Sequence, residues 1–251
     1  MIFNIYYFKG FLKKNGIKEF VKLIILLINF YFLVLLKKRT LFVDSKLNKI
    51  HFIIFSKNRA SQLDLLLRSI KKMIKGNFSI SVIFKYSNDN FLRGYEKLKI
   101  LHENVDFLSE KEGKLKFQIL NLVENSDSKY ISLLVDDIVF INKFEIIQIL
   151  KPLKNLDTFS LRLGENIKWS YSNNKIQNQP KFDLKNMRNH NFLFWNAKKN
   201  NNLGDWSYMF SLDGNVYHNK TLLLITKLIE FNTPNQFENK GNVLATILLK
   251  K

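Results

Sequence analysis

The chain has 251 residues, no cysteine and a formal net charge of +19, and hydrophobic residues make up 46% of it. This length favours one α/β domain with a full core over two large domains. The lack of cysteine excludes disulfide frameworks, thiol nucleophiles and thiolate zinc sites. Only six of the forty basic residues are Arg, and no nucleic-acid-binding motif accompanies them. The charge therefore favours an anionic lipid surface or a phosphorylated substrate over nucleic acid.

The first 49 residues are strongly basic, with ten Lys or Arg against two acids. Residues 23–36 are uncharged and apolar, but a bilayer span needs ~20 such residues, and no small-residue cleavage site of a signal peptide follows. Residues 8–21 mix apolar side chains with lysines, as basic amphipathic helices at membrane surfaces do. We therefore expect a cytoplasmic protein, peripheral on the inner face of the cell membrane. A helix buried against the domain and a single-pass span are the alternatives.

From residue 50 onward, short apolar runs alternate with helix-length segments, a pattern that predicts a parallel α/β sheet. Ser61 and Asp64 are expected to cap the first helix, and the polar, Asn-rich residues 164–190 predict a long irregular loop. The predicted domains are a helical segment at 1–49 and an α/β domain at 50–251. The predicted strands are 51–55, 79–86, 105–107, 130–135 and 158–163, and the predicted helices are 63–76, 91–101, 112–124 and 144–153.

Polar clusters follow three of the predicted strands, at 56–59, at 87–89 and at Asp136-Asp137. Each alone is ordinary turn chemistry, but the carboxyl ends of parallel strands share one edge of a sheet, where such sheets bind ligands. Carboxylate oxygens suit Mg²⁺ or Mn²⁺. Adjacent strand residues face opposite sides. We therefore expect Asp137 to bind a metal and Asp136 to reach the ribose or to order the loop.

At this point the chain resembles glycosyltransferases of the GT-A fold, in particular bacterial family 2-like enzymes. The resemblance implies a GT-A-like (Rossmann-like), mostly parallel sheet flanked by helices. The aspartate pair departs from the full D-x-D form, because neither Val135 nor Ile138 is acidic. The matching segments are FSKNRASQLDLLLRSI (55–70), SVIFKYSNDNFLRGYEKL (81–98), YISLLVDDIVF (130–140), FSLRLGENI (159–167), DWSYMFSLDGNVY (205–217) and TPNQFE (233–238).

The resemblance also implies roles for individual residues. Asp137 corresponds to the metal ligand, and the carboxylate base is sought among Asp213, Glu238 and Asp205, in that order. Asp213 is preferred because Gly214 after it permits a tight turn. The nucleotide-sugar pocket would be lined by Ser56, Asn58, Arg59, Gln62, Asn88, Asp89 and Asp136.

The four histidines and three tryptophans are expected to be mainly structural. His218, five residues after Asp213, is also considered as a contact for phosphate or metal. Trp169, Trp195 and Trp206 are considered as platforms for acceptor sugars, although buried packing is the more common role of Trp.

The enzyme that the resemblance implies is a hexosyltransferase that uses a nucleotide sugar and a divalent metal, Mn²⁺ or Mg²⁺. Its acceptor would be a glycan or a lipid-linked sugar in surface polysaccharide synthesis, and nucleic acid is not expected as a partner. One alternative is an inactive, membrane-associated binding protein of the same fold, truncated where the chain stops at Lys251. The other is a nucleotidyltransferase, which needs a Gly-rich phosphate loop that does not follow the first strand.

Overall fold

The computed structural model describes residues 17, 21, 24, 25 and 47–249. Within the last range it does not describe residues 155, 172–173, 188–189 and 198–203, or the side chain of residue 247. The chain divides into two compact units, 1–45 and 46–251. The four described residues of the first unit are helical, and the rest of the predicted amphipathic helix and apolar run lies outside the described residues. In the part of the chain that is described, no helix is long and apolar enough to cross a membrane.

The second unit alternates strands and helices from its start. The strands are β1 (Leu47–Lys57), β2 (Ile74–Lys75), β3 (Phe78–Lys85), β4 (Asp106–Ser109), β5 (Ser128–Val135), β6 (Phe144–Glu145), β7 (Thr158–Ser160), β8 (Trp169–Ser170), β9 (Lys175–Ile176), β10 (Asp183–Met187), β11 (His190–Phe194) and β12 (Asn215–His218). The helices are α1 (Ala60–Met73), α2 (Asp89–Leu101), α3 (Leu115–Asn125), α4 (Ile146–Leu153), α5 (Asn219–Leu228) and α6 (Pro234–Leu248), with a 3-10 turn at Gly204–Ser207.

The main sheet has six strands in the order β4-β3-β1-β5-β12-β7. Strands β4, β3, β1 and β5 run parallel, whereas β12 is antiparallel to both of its neighbours. The prediction of an α/β fold with a mostly parallel sheet flanked by helices is confirmed. Strand β12, which forms between a turn and α5, is absent from the sequence-based assignment.

Strands β1 and β5 lie at the centre of the sheet, and their side chains form part of the buried core. In β1 the side chains from Ile50 to Ser56 are all buried, as expected for a strand covered on both faces. Helix α1 packs through apolar residues spaced three and four apart, which is one face of a helix. These residues are Leu63, Leu66, Leu67 and Ile70.

Three local predictions need correction. Ser61 and Asp64 do not cap α1, whose N-cap position is Arg59, without a side-chain cap; Asp64 instead pairs with Arg68 and His102. The helix predicted from residue 144 begins at Ile146, after the short strand β6, which pairs with β2. The predicted irregular loop contains the hairpin β8–β9 and strand β10, which pairs with β11.

The topology brings five segments to one edge of the sheet. Parallel strands β3, β1 and β5 all end there, and β7, which is antiparallel to β12, ends there as well. Strand β12 begins at this edge, since Asn215 lies opposite Leu133 near the end of β5. The segments are 56–59, 86–89, 136–137, 161–163 and 211–214.

Candidate active site

Asp136 and Asp137 face different surroundings at the end of β5. The side chain of Asp136 is 6% exposed and that of Asp137 is 56% exposed. Asp136 Oδ2 accepts a hydrogen bond from Lys57 N at 3.2 Å. Burial raises the pKa of Asp136, although hydrogen bonds from Ser56 and Lys57 act in the opposite direction. Asp136 therefore fastens the loop after β1.

Arg59 contacts both carboxylates from that loop. Its Nη1 lies 3.0 Å from Asp137 Oδ2 and 3.5 Å from Asp136 Oδ1. Its side chain is half exposed, so part of the guanidinium remains accessible to a ligand. An arginine fork held in this way is suited to a phosphate group.

Ser56 and Asn58 hold the loop in shape from within. Ser56 is buried, and its hydroxyl lies 2.7 Å from Tyr95 Oη. Asn58 has a positive φ of 59°, a conformation that Asn tolerates better than most residues. Its side chain donates to Ser87 Oγ at 2.7 Å and accepts from Ser87 N at 2.9 Å. These contacts join the ends of β1 and β3.

The other predicted nucleotide-binding residues lie at the same edge but on the surface. Gln62 is exposed in the first turn of α1, and Asn88 and Asp89 are exposed at the start of α2. Asn88 Oδ1 accepts from Asn90 N and Phe91 N, so it serves as the N-cap of that helix.

Asp213 lies in the tight turn before β12, beside the end of β5. Gly214 has a φ of +86°, which a residue with a side chain rarely adopts, and its N donates to Leu133 O at 2.9 Å. Burial raises the pKa of Asp213; the charge of Arg162 lowers it, and the charges of Asp137 and Asp205 raise it further. The register of β12 against β5 places the Asp213 turn at the edge where Asp137 lies.

Glu238 reaches the same turn from α6. Its Oε1 accepts from Ser211 Oγ at 2.8 Å and from Leu212 N at 2.9 Å. Burial raises the pKa of Glu238, while these two hydrogen bonds lower it. The structure thus brings both predicted base candidates to one turn, with Glu238 bonded to the backbone of that turn.

Arg162 is a site residue that the sequence-based list omits. It follows β7, and its Nη1 donates to Asp205 Oδ2 at 2.9 Å. Asp205 also accepts from Ser170 Oγ at 3.0 Å and donates its backbone N–H to Gln177 Oε1 at 2.8 Å. Asp205, the third base candidate, is therefore held in an ion pair. The available signal was a basic residue near the end of the strand predicted over 158–163, inside the segment FSLRLGENI; the observed strand β7 ends earlier, at Ser160.

A curated relative shares sequence with most of this chain. The bifunctional glycosyltransferase pgtA of Dictyostelium discoideum is 29% identical in a 220-residue alignment, which covers 78% of this chain and 28% of that protein. No protein-family model matches the chain. The chain is related to glycosyltransferases. The resemblance expected from the sequence is thereby confirmed at the level of the fold and the broad class.

Solved structures similar to this chain align with it at low identity. Staphylococcus aureus TarS 1-349 in complex with UDP is 16% identical, with a TM-score of 0.45, over 79% of this chain and 54% of that chain. The bifunctional glycosyltransferase WbbM is 13% identical, with a TM-score of 0.43, over 84% of this chain and 38% of that chain. The mannosyltransferase PcManGT from Pyrobaculum calidifontis, in complex with GDP-Man and Mn²⁺, is 12% identical, with a TM-score of 0.36, over 56% and 46%.

The four histidines of this chain have structural partners. His218 Nε2 lies 2.9 Å from Leu153 O, and its ring packs on Tyr130 at the amino end of β5, away from Asp213. His51 is buried between Ser126 and Ser81, and burial lowers its pKa to about 4. His102 pairs with Asp64, and His190 lies 2.7 Å from Gln148.

The three tryptophans differ in how far their side chains are exposed. Trp206 is buried and packs edge-on against Trp195 and Phe182. Trp195 donates its ring N–H to Trp206 O at 2.9 Å. Trp169 is 41% exposed on β8, so it is the tryptophan that remains most available to a ligand.

The donor set at Asp137 fits a divalent cation that is bound together with a substrate. Among the described residues, no group of three or more His, Cys, Asp or Glu could hold a metal ion by itself. Mg²⁺ is commonly bound through one or two carboxylates, waters and substrate phosphates, and the exposed Asp137 supplies such a carboxylate.

Proposed function

We propose that the chain transfers a hexose from a nucleotide-sugar donor to a hydroxyl of a glycan or lipid-linked acceptor, in surface polysaccharide synthesis. The proposal rests chiefly on one observation: the sheet topology places Asp137, which pairs with Arg59, and the Asp213 turn at the same carboxyl edge. The sequence relationship to a glycosyltransferase supports the reaction class. The chain spans 28% of that relative, so its donor, acceptor and partners are part of the proposal.

The donor would lie along the loops after β1, β3 and β5. Arg59 would contact the diphosphate, because its guanidinium is partly accessible and is already held by Asp136 and Asp137. Ser56 and Asp136 would hold the loop after β1 in place from its buried side. The side chains that would line the nucleotide pocket are Asn58, Gln62, Asn88 and Asp89. Mn²⁺ or Mg²⁺, held by Asp137 and the donor, would neutralise charge on the diphosphate.

Asp213 would act as the base in a direct displacement. The acceptor hydroxyl oxygen forms a bond to the anomeric carbon as the bond from that carbon to the diphosphate oxygen breaks. The hydroxyl proton passes to the Asp213 carboxylate, and the nucleoside diphosphate leaves. A raised pKa suits this role, since a general base works best when its pKa approaches the working pH.

The amino-terminal segment would place this reaction at the inner face of the cell membrane. Its ten basic residues within 49 positions are the support for this part of the proposal, because clustered Lys and Arg are attracted to anionic lipids. The expected partners are therefore the donor, the acceptor and an anionic membrane surface.

Asp137→Asn tests the proposal in the full chain. Release of nucleoside diphosphate from UDP-glucose, UDP-N-acetylglucosamine and GDP-mannose is measured with and without Mn²⁺. We expect Mn²⁺-stimulated release from one donor, and a loss on the order of 100-fold in the variant, because a metal ligand and its charge stabilisation are removed.

Glu103→Gln is the matched control, since Glu103 is exposed in the loop after α2, and it should retain the activity of the original chain. Unchanged release by Asp137→Asn would reject the metal assignment. Absence of turnover with every nucleotide sugar tested would favour the inactive binding protein.

A further inference from the structure

One face of α6 holds the segment that leads into the Asp213 turn. Asn242 Oδ1 accepts from Met209 N at 2.9 Å and from Phe210 N at 3.2 Å. One helical turn earlier, Glu238 Oε1 accepts from Leu212 N and Ser211 Oγ. Residues four apart share a helix face, so a single face of α6 accepts hydrogen bonds from all four residues of the segment 209–212.

The contact continues from Glu238 to Asp213. A serine hydroxyl has one proton and can also accept. Ser211 donates that proton to Glu238 and accepts from Asp213 N at 3.1 Å. On the other side of the turn, Gly214 O accepts from Leu161 N at 3.0 Å. Asp213 is therefore fixed between α6 and the sheet.

We infer that Glu238 is a positioning residue for Asp213, assisted by Asn242, and is not itself the base. This inference rests on the proposed role of Asp213. Both hydrogen bonds that Glu238 accepts go to the turn, and a charged acceptor holds such donors more strongly than a neutral one. Protonation of Glu238 in each catalytic cycle would weaken the contacts that shape the site.

The first test compares Glu238→Gln with Glu238→Ala in the full chain, using the donor panel above. Glutamine keeps an oxygen acceptor at this position but cannot act as a base. We expect kcat of Glu238→Gln to stay within about threefold of the original, whereas Glu238→Ala loses about 10- to 100-fold in kcat with donor KM little changed, because small displacements of a reacting group are costly. An equal loss in both variants would overturn the inference, since it would mean that the carboxylate itself reacts.

The second test does not depend on turnover. Hydrogen exchange of the backbone amides at 209–213 should accelerate in Glu238→Ala and in Asn242→Ala, and remain near the original rate in Glu238→Gln. Asn235→Ala is the control, since Asn235 is exposed in the first turn of α6. Unchanged exchange in Glu238→Ala would overturn the inference even if the chain is active. Accelerated exchange in a chain without transferase activity would instead count against the proposed function alone.

Discussion

At the scale of single residues, two acidic side chains of the candidate site respond alike to burial but differ in their partners. Asp136 and Asp213 both have raised pKa values, mainly because of burial, but Asp136 is bonded to the loop after β1. Asp213 faces the charges of Asp137, Asp205 and Arg162. The same residue type thus serves as a structural support in one position and as a candidate base in another.

The raised pKa of Asp213 gives a prediction about the pH dependence of the reaction. The base must be ionised, so kcat/KM should fall on the acid side with a midpoint above 3.8, the ordinary Asp value. Asp213→Asn should lower kcat/KM by on the order of 1000-fold, because it removes the base. A midpoint at or below 3.8 would argue against Asp213 as the titrating base.

The raised pKa of Asp213 also makes the stability of the chain depend on pH. A folded-state pKa above the unfolded value means that the folded state binds the proton more tightly, so the stability associated with protonated Asp213 is present below pH 3.8 and is lost as pH rises through the folded pKa. Asp213→Asn should therefore raise Tm at pH 7.5 by on the order of 2 °C, with a smaller difference near pH 4. Thermal unfolding at the two pH values measures this, and a variant that is less stable at pH 7.5 would contradict it.

At the scale of elements, α6 shapes the site by close approach as well as by hydrogen bonds. A Cβ at Gly241 would overlap the ring of Phe210. Phe210 is fully buried, and its ring is held by packing on Tyr217 and Phe237. The close approach of Phe210 explains why a glycine stands in the middle of α6.

Gly241→Ala should therefore reverse the usual effect of this substitution. In an open helix, alanine would stabilise by about 0.5–1 kcal/mol, but here overpacking is expected to cost about 1–3 kcal/mol. We expect Tm to fall by several degrees in thermal unfolding, whereas Asn235→Ala in the same helix should leave Tm nearly unchanged. A rise in Tm for Gly241→Ala would show that α6 and Phe210 are not in close contact.

At the scale of the whole molecule, the edge that gathers the five loops is also where two arginines lie beside acidic side chains. The net charge of +19 adds a general attraction for anionic ligands. A nucleoside diphosphate supplies the negative charge and the oxygen ligands that this edge would accept together with a cation.

Binding of such a ligand should stabilise the chain against heat. At about 100 times its Kd, a ligand that binds only the folded state adds about 2.7 kcal/mol, which corresponds to a rise in Tm of about 5–10 °C for a protein of this size. We expect this shift with one of UDP, GDP or CDP in the presence of Mn²⁺. Asp137→Asn should lose the Mn²⁺-dependent part, and Glu103→Gln should retain it. No shift with any of the three nucleotides would contradict a nucleoside diphosphate site.

Sequence alone determined the alternation of strands and helices and the sheet edge that gathers the residues of the candidate site. The apolar runs that became β1, β3 and β5 are buried strands, and their short length, bounded by polar turns, indicates this without tertiary information. The pair Asp136-Asp137 could be placed at a strand end for the same reason, and alternation along a strand anticipated their different exposure.

Only the tertiary structure decided which distant side chains meet at that edge. The antiparallel pairing of β12 with β5 and β7 places Asp213 and Arg162 at the same edge as Asp137, and such long-range pairing leaves no local pattern in the sequence. The contacts of Glu238 with Ser211 and Leu212 likewise depend on how α6 packs. Local periodicity specifies elements, whereas the roles of these acids follow from neighbours that are far apart in the chain.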